Sequence, residues 1–193
     1  MIPPPDDAAL HDAALAHLAR YATTEANLRR VLGRRIDRWA RAAGADPDPA
    51  DDADPEAIAA AVAGARAAAD RVVARLVAAG AVSDAAFAES RARSLVRAGR
   101  SRRAIAAALV AKGVPSDLAR AAAPEDADGE LAAALTLARR RRIGPFRAGE
   151  ADPDRRRKEL AILARAGFAQ DVARRALGMD PAEAEDRILA LRR

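Results

Sequence analysis

Cysteine is absent from this 193-residue chain, which excludes a disulfide framework and any thiolate metal site. His11 and His17 are the only histidines. Their spacing puts them on different faces of a helix rather than at the i, i+4 separation of a zinc pair, so a solvated role is expected and no metal site. Aromatic residues make up only 3% of the chain: Tyr21, Trp39, Phe87, Phe146 and Phe168. Phe87 and Phe168 stand at core-like positions, which leaves no platform on which single-stranded bases could stack. No phosphate-loop glycine pattern occurs, and acidic pairs such as Asp51-Asp52 lie in a linker without an ordered frame for acid–base work. The expectation is a protein with no catalytic residues and no cofactor, hence not an enzyme. No apolar run approaches the ~20 residues that span a bilayer. The start, Met-Ile-Pro-Pro-Pro-Asp-Asp, lacks the cationic and apolar regions of a signal peptide, so a cytoplasmic protein away from membranes is expected.

What the chain does have is alanine, arginine and leucine, a helix-forming composition. A core built largely of alanine is thin, because each buried methyl contributes only about 0.8 kcal/mol. Two stretches repeat one helix-stop-helix pattern. The first is Ile105-x3-Leu109-x2-Lys112-Gly113-Val114-x2-Asp117-Leu118-x3-Ala122. The second is Leu160-x2-Leu163-x2-Ala166-Gly167-Phe168-x2-Asp171-Val172-x3-Ala176. Gly113-Val114 and Gly167-Phe168 both fit a Schellman stop, with a left-handed glycine and an apolar residue folding back on the last turn. Internal repetition marks an array of small helical units, suited to gripping an extended partner.

The periodicity predicts an all-α fold: a tandem array of three three-helix units, elongated or curved, with the first unit enlarged by an insertion. Residues 1–12 read as a disordered lead-in, although helical spacing itself begins near Ala8 and runs to Tyr21. The first unit covers 13–81, and in it Thr23-Thr24 cap a helix that Gly44 ends. An acidic, proline-broken linker occupies about 45–55. The following helical stretch is either continuous or broken near Gly64. The second unit covers 82–126, opened by Ser83-Asp84 as a cap, and the third covers 127–178. Residues 179–193 form a C-terminal helix or tail. Phe87, Ile105, Leu109, Leu160, Leu163 and Phe168 are the expected core.

Charge is sorted along the chain. Residues 20–41 hold seven arginines against Glu25 and Asp37, and residues 83–112 hold six arginines and Lys112 against Asp84 and Glu89. Residues 139–158 hold eight arginines and Lys158, whereas residues 42–56 carry six carboxylates and no cation. Basic units with acidic connections suit anionic partners. Arginines near helix starts, such as Arg102, Arg103 and Arg155 to Lys158, add to the free N–H groups there. An ordinary solvated helix face is the plain alternative for any single arginine. Arg139 to Arg142 span more than one turn, so either the helix ends there or a partner supplies counter-charge.

Ser83-Asp84-Ala85-Ala86-Phe87-Ala88-Glu89, Arg93, Gly99-Arg100-Ser101, Ile105, Leu109 and Lys112-Gly113-Val114 together resemble the signature of the RecX family. Asn27-Leu28-Arg29-Arg30-x-Leu32 upstream and Arg156-Arg157-Lys158-x-Leu160 with Ala166-Gly167-Phe168 downstream extend the resemblance over roughly 13–178. Ser101 stands where the family often has a second glycine and Ala104 where it often has arginine; the insertion around 37–69 is longer than usual. The resemblance implies tandem three-helix repeats that lie in the groove of the RecA–single-stranded DNA filament and suppress ATP hydrolysis and strand exchange. It implies the RecA filament as partner, with single-stranded or duplex DNA backbone as a further contact, for a monomeric protein. The expected contact surface is Arg91, Arg93, Arg97, Arg100, Arg102, Arg103 and Lys112, with Arg155, Arg156, Arg157 and Lys158 as a second patch. The rival reading is a helix-turn-helix DNA-binding or transcriptional module, whose arginines would enter a major groove.

Overall fold

The computed structural model describes residues 3–44 and 54–190, and every regular element among them is helical. The helices are α1 (Asp7–Leu18), α2 (Glu25–Ala43), α3 (Pro55–Ala78), α4 (Asp84–Arg97) and α5 (Arg102–Val110). They are followed by α6 (Ser116–Ala122), α7 (Ala127–Arg141), α8 (Pro153–Arg165), α9 (Gln170–Gly178) and α10 (Pro181–Ala190), with a short 3-10 turn at Gly144–Phe146. The chain divides into two compact units, Met1–Phe87 and Ala88–Arg193. Most of the acidic linker read at 45–55 lies outside the described residues.

In the first unit, Asp6 starts α1 by accepting the Ala9 N–H at 2.8 Å. Residues 7–12, read as lead-in, are therefore helical, and the helix stops at Leu18 rather than Tyr21. Asp7 is fastened to Arg75 and, at 3.8 Å, to Arg71, which ties α1 to α3. The hydrogen bond from Arg75 holds the Asp7 carboxyl below its ordinary range. The Thr24 hydroxyl caps α2 by accepting the Asn27 N–H at 3.1 Å, while Asp84 accepts the Glu25 N–H at 2.8 Å. Ser83 caps α4 through the Ala86 N–H at 3.2 Å, so the Ser83-Asp84 pair serves two different helices. Helix α3 runs unbroken through Gly64, because helix-forming alanines on both sides outweigh the ~1 kcal/mol cost of one glycine. Leu10, Leu28, Leu32, Ile36, Val72, Val73 and Leu76 form the core of this unit. The two histidines are not simply solvated: His11 Nδ1 and His17 Nε2 are shielded, and His17 stacks obliquely on Tyr21.

The second unit is organised by its helix ends. Gly113 and Gly167 both adopt φ +92°. After each, the apolar residue's N–H returns to the last turn: Val114 to the Leu109 carbonyl at 3.1 Å, Phe168 to the Leu163 carbonyl at 3.2 Å. Leu109, Leu163, Val114 and Phe168 are all buried, as are Ala119 and Ala173 one turn further on. The sequence repeat is thus a structural repeat, α5–α6 answering to α8–α9. Gly99 ends α4 with the same left-handed turn, and a Cβ there would meet Thr136 and the Ala133 carbonyl of α7 within about 3 Å. Arg142 ends α7 at φ 54°, as the only non-glycine in this region among the described residues. The run of four arginines is thereby accommodated: the helix stops at Arg141, and Arg139 pairs with Glu185 at 2.8 Å.

Ile105, Leu109, Leu163 and Phe168 are buried, as expected for core positions. Phe87 and Leu160 are only half-buried, because α4 turns Ala88 and Ala92 inward and α8 turns Glu159 and Leu163 inward. Ser101 accounts for its own place in the pattern. Its hydroxyl accepts the Ala104 N–H at 3.2 Å, capping α5, and donates to the Ala166 carbonyl at 2.7 Å, fastening α5 to the end of α8. A Cβ on Gly167 would come within 2.7 Å of that hydroxyl oxygen. Gly167→Ala is expected to cost about 1–2 kcal/mol for the left-handed backbone, and Ser101→Ala about 1 kcal/mol for the lost cap. Because the new Cβ takes the space the hydroxyl vacates, the double variant should cost less than the two together. Urea denaturation midpoints measure this, and additive losses would contradict the contact.

Candidate basic interface

Helix α4 places Arg93 and Arg97 on one face, four residues apart. They line a groove of about 320 Å³ with Val96 of the same helix and Ala122 and Pro124 at the end of α6. Arg93 reaches Glu89 only at 4.0 Å, and both side chains are about two-thirds exposed. Such an exposed pair contributes at most ~1 kcal/mol, so it releases its arginine to a partner at little cost. Arg91 and Arg103 are exposed on α4 and α5, and Lys112 is exposed in the turn after α5. Arg102 is bound differently: its guanidinium pairs with Glu125, and its N–H donates to Glu130 at 2.9 Å. Glu130 of α7 thus caps α5, and burial raises its pKa while the Arg102 N–H and charge oppose the rise. Arg100 lies apart from the Arg93–Arg97 groove, in a cleft with Arg140, Arg141 and Arg165.

The second expected patch also divides. Asp152 caps α8 by accepting the Arg155 N–H at 2.7 Å, and Arg157 pairs with Asp154 at 3.3 Å. Arg156 and Lys158 are exposed, with no ion pair among the described residues. Arg155 turns toward Glu159, its Nε 3.6 Å from Oε1. Glu159 is 3% exposed, and its Oε2 accepts the Arg147 guanidinium at 2.9 Å and the Gly144 N–H at 3.2 Å. This carboxylate ties the Gly144–Arg147 turn to α8 and was not singled out by the sequence reading. Its one local signal is the i, i+4 spacing from Arg155. Arg165, also missed, stands where the repeat has Ala111, so the pattern gives it no counterpart.

The two patches therefore consist of exposed cations on α4, α5 and α8, beside arginines already held by carboxylates. Among the described residues no cluster of three or more His, Asp or Glu side chains is placed to hold a metal ion. No helix among them is long and apolar enough to cross a membrane. Repeated left-handed stops and exposed arginines define a helical-repeat protein with basic faces.

Comparison with known proteins gives that class a family. Residues 83–122 match the RecX second three-helix domain. The regulatory protein RecX of Myxococcus xanthus (strain DK1622) is 40% identical over 177 residues, covering 90% of this chain and 86% of that protein. The regulatory protein RecX of Agrobacterium fabrum is 42% identical over 106 residues, 55% of this chain and 56% of its own. The crystal structure of RecX from Lactobacillus salivarius aligns with a TM-score of 0.63 over 93% of this chain and 97% of that one. At 16% identity this last likeness speaks to the fold alone. The chain belongs to the RecX family of regulatory proteins.

Removing this buried carboxylate strands Arg147, whose side chain is only 20% exposed, together with the Gly144 N–H, so Glu159→Ala is expected to destabilise by about 3–5 kcal/mol. Breaking the exposed Arg157–Asp154 pair with Asp154→Ala should cost under about 1 kcal/mol. Thermal denaturation of both variants checks the contrast, and equal losses would contradict it.

Proposed function

We propose that this protein regulates homologous recombination and DNA repair by binding the RecA–single-stranded DNA filament and inhibiting its ATPase and strand exchange. It acts by binding, without catalysis, as a cytoplasmic monomer built from three tandem three-helix units. Family membership supports the regulatory role. The observation that carries the surface is the groove holding Arg93 and Arg97, in which two exposed cations, with Glu89 beside them, flank apolar Val96, Ala122 and Pro124. A contact of this make-up suits a protein partner with acidic residues around a small apolar anchor, since charge steers the encounter and burial holds the complex. Arg91, Arg102, Arg103 and Lys112 extend the contact along α4, α5 and the turn after it, Arg100 adds a separate contact from its own cleft, and Arg155, Arg156, Arg157 and Lys158 provide a further one. DNA phosphates in the filament offer these cations a further anionic face.

The triple reversal Arg93→Glu, Arg97→Glu, Arg103→Glu tests the reading. All three side chains are exposed, so the fold should hold, with changes near ±0.5 kcal/mol each. Inhibition of RecA strand exchange should be lost while the circular dichroism spectrum stays helical. Full inhibition by the folded variant would overturn the assignment of this surface.

A further inference from the structure

Three helix ends meet around a cleft of about 360 Å³: the turn after α4, the end of α7 and the end of α8. Arg100, Arg140, Arg141 and Arg165 line it, all exposed, together with apolar Leu137 and Ile162. No carboxylate lines the cleft, and none of the four arginines has an acidic partner among the described residues. Nearby cations differ: Arg102, Arg139 and Arg147 are each held by a glutamate.

A plain account would have these arginines neutralise the helix ends they sit on, and part of their charge does. Arg140 Nη1 lies 3.5 Å from the Ala98 carbonyl after α4. Each helix C-terminus, however, offers only roughly half a unit of negative charge, so three cannot balance four guanidinium groups. The remaining positive charge is concentrated in a space large enough for a small ligand. The arrangement is also built rather than accidental. Gly99, which admits no Cβ against α7, sets the α4 turn beside Arg140, and the Ser101–Ala166 hydrogen bond at 2.7 Å fixes the end of α8 beside Arg100.

We propose that this cleft is a binding site for a phosphate chain, two or more linked phosphates held by Arg100, Arg140, Arg141 and Arg165. Guanidinium forks match phosphate oxygens bidentately, and several of them converging favour a polyanion over a single carboxylate. The chain of phosphates belongs either to a nucleic-acid strand or to a free polyphosphate. The cleft shares Arg100 with the filament contact proposed above, but its test needs no RecA, so the two readings can fail separately.

The test titrates the full-length protein, without RecA, with a fluorescein-labelled oligodeoxythymidine and separately with inorganic tripolyphosphate. Arg141→Gln/Arg165→Gln should weaken binding at least tenfold and flatten the salt dependence for the oligonucleotide by about 1.4 in slope, the loss of two strand contacts. Arg100→Gln/Arg140→Gln should do the same. Arg174→Gln/Arg175→Gln, exposed on α9 outside the cleft, should leave both unchanged. Arginine-dependent binding of the oligonucleotide alone assigns the site to strands, and of tripolyphosphate as well, to phosphate chains in general. Equal loss from the α9 pair, no loss from the cleft pairs, or displacement of the oligonucleotide by an equimolar hexaglutamate peptide would overturn the proposal.

Discussion

The left-handed helix stop is the constraint on which the second unit depends. A chain rich in alanine has little apolar volume with which to fix helix directions, so the direction is set at the ends. Gly113 and Gly167, both at φ +92°, reverse the chain and return Val114 and Phe168 to the core. Gly99 and Arg142 stop α4 and α7 in the same region of backbone space. Where the stop is an arginine, the helix ends without breaking the basic run that precedes it. The short helices and the places where their arginines gather both follow from these stops.

A second constraint acts on charge. Most ion pairs are exposed, and each is worth at most ~1 kcal/mol, so they orient side chains without committing them. Glu159 differs: buried, it holds Arg147, the Gly144 N–H and the side of Arg155, and it joins a loop to α8. Cations fall accordingly into those the fold uses and those it leaves to solvent. Arg102 and Arg155 belong largely to the first group; Arg91, Arg97, Arg103, Arg156 and Lys158 belong to the second.

Features written in local spacing were legible in the sequence. The Gly113 and Gly167 stops depend on residues within one turn, and the burial of Leu109 and Leu163 follows from the same repeat. Thr24 and Ser83 announce helix starts for the same reason. Features joining distant segments were not legible. Asp84 caps α2 across 59 residues of sequence, and Ser101 reaches Ala166 across 65. The burial of Glu159 depends on a turn 12 to 15 residues earlier. Arg165 joins Arg100 and Arg141 only in the folded unit. Phe87 looked like a core residue by type, yet the inward stripe of α4 is Ala88 and Ala92.

Regulation by binding alone is the central claim, and it is tested most directly with RecA itself. RecA's DNA-dependent ATPase is titrated with this protein at two salt concentrations, beside the protein's own binding to duplex and single-stranded DNA. The account predicts a saturable fall in ATPase and no sequence-selective duplex binding without RecA. Undiminished ATPase together with tight, sequence-selective duplex binding would contradict it.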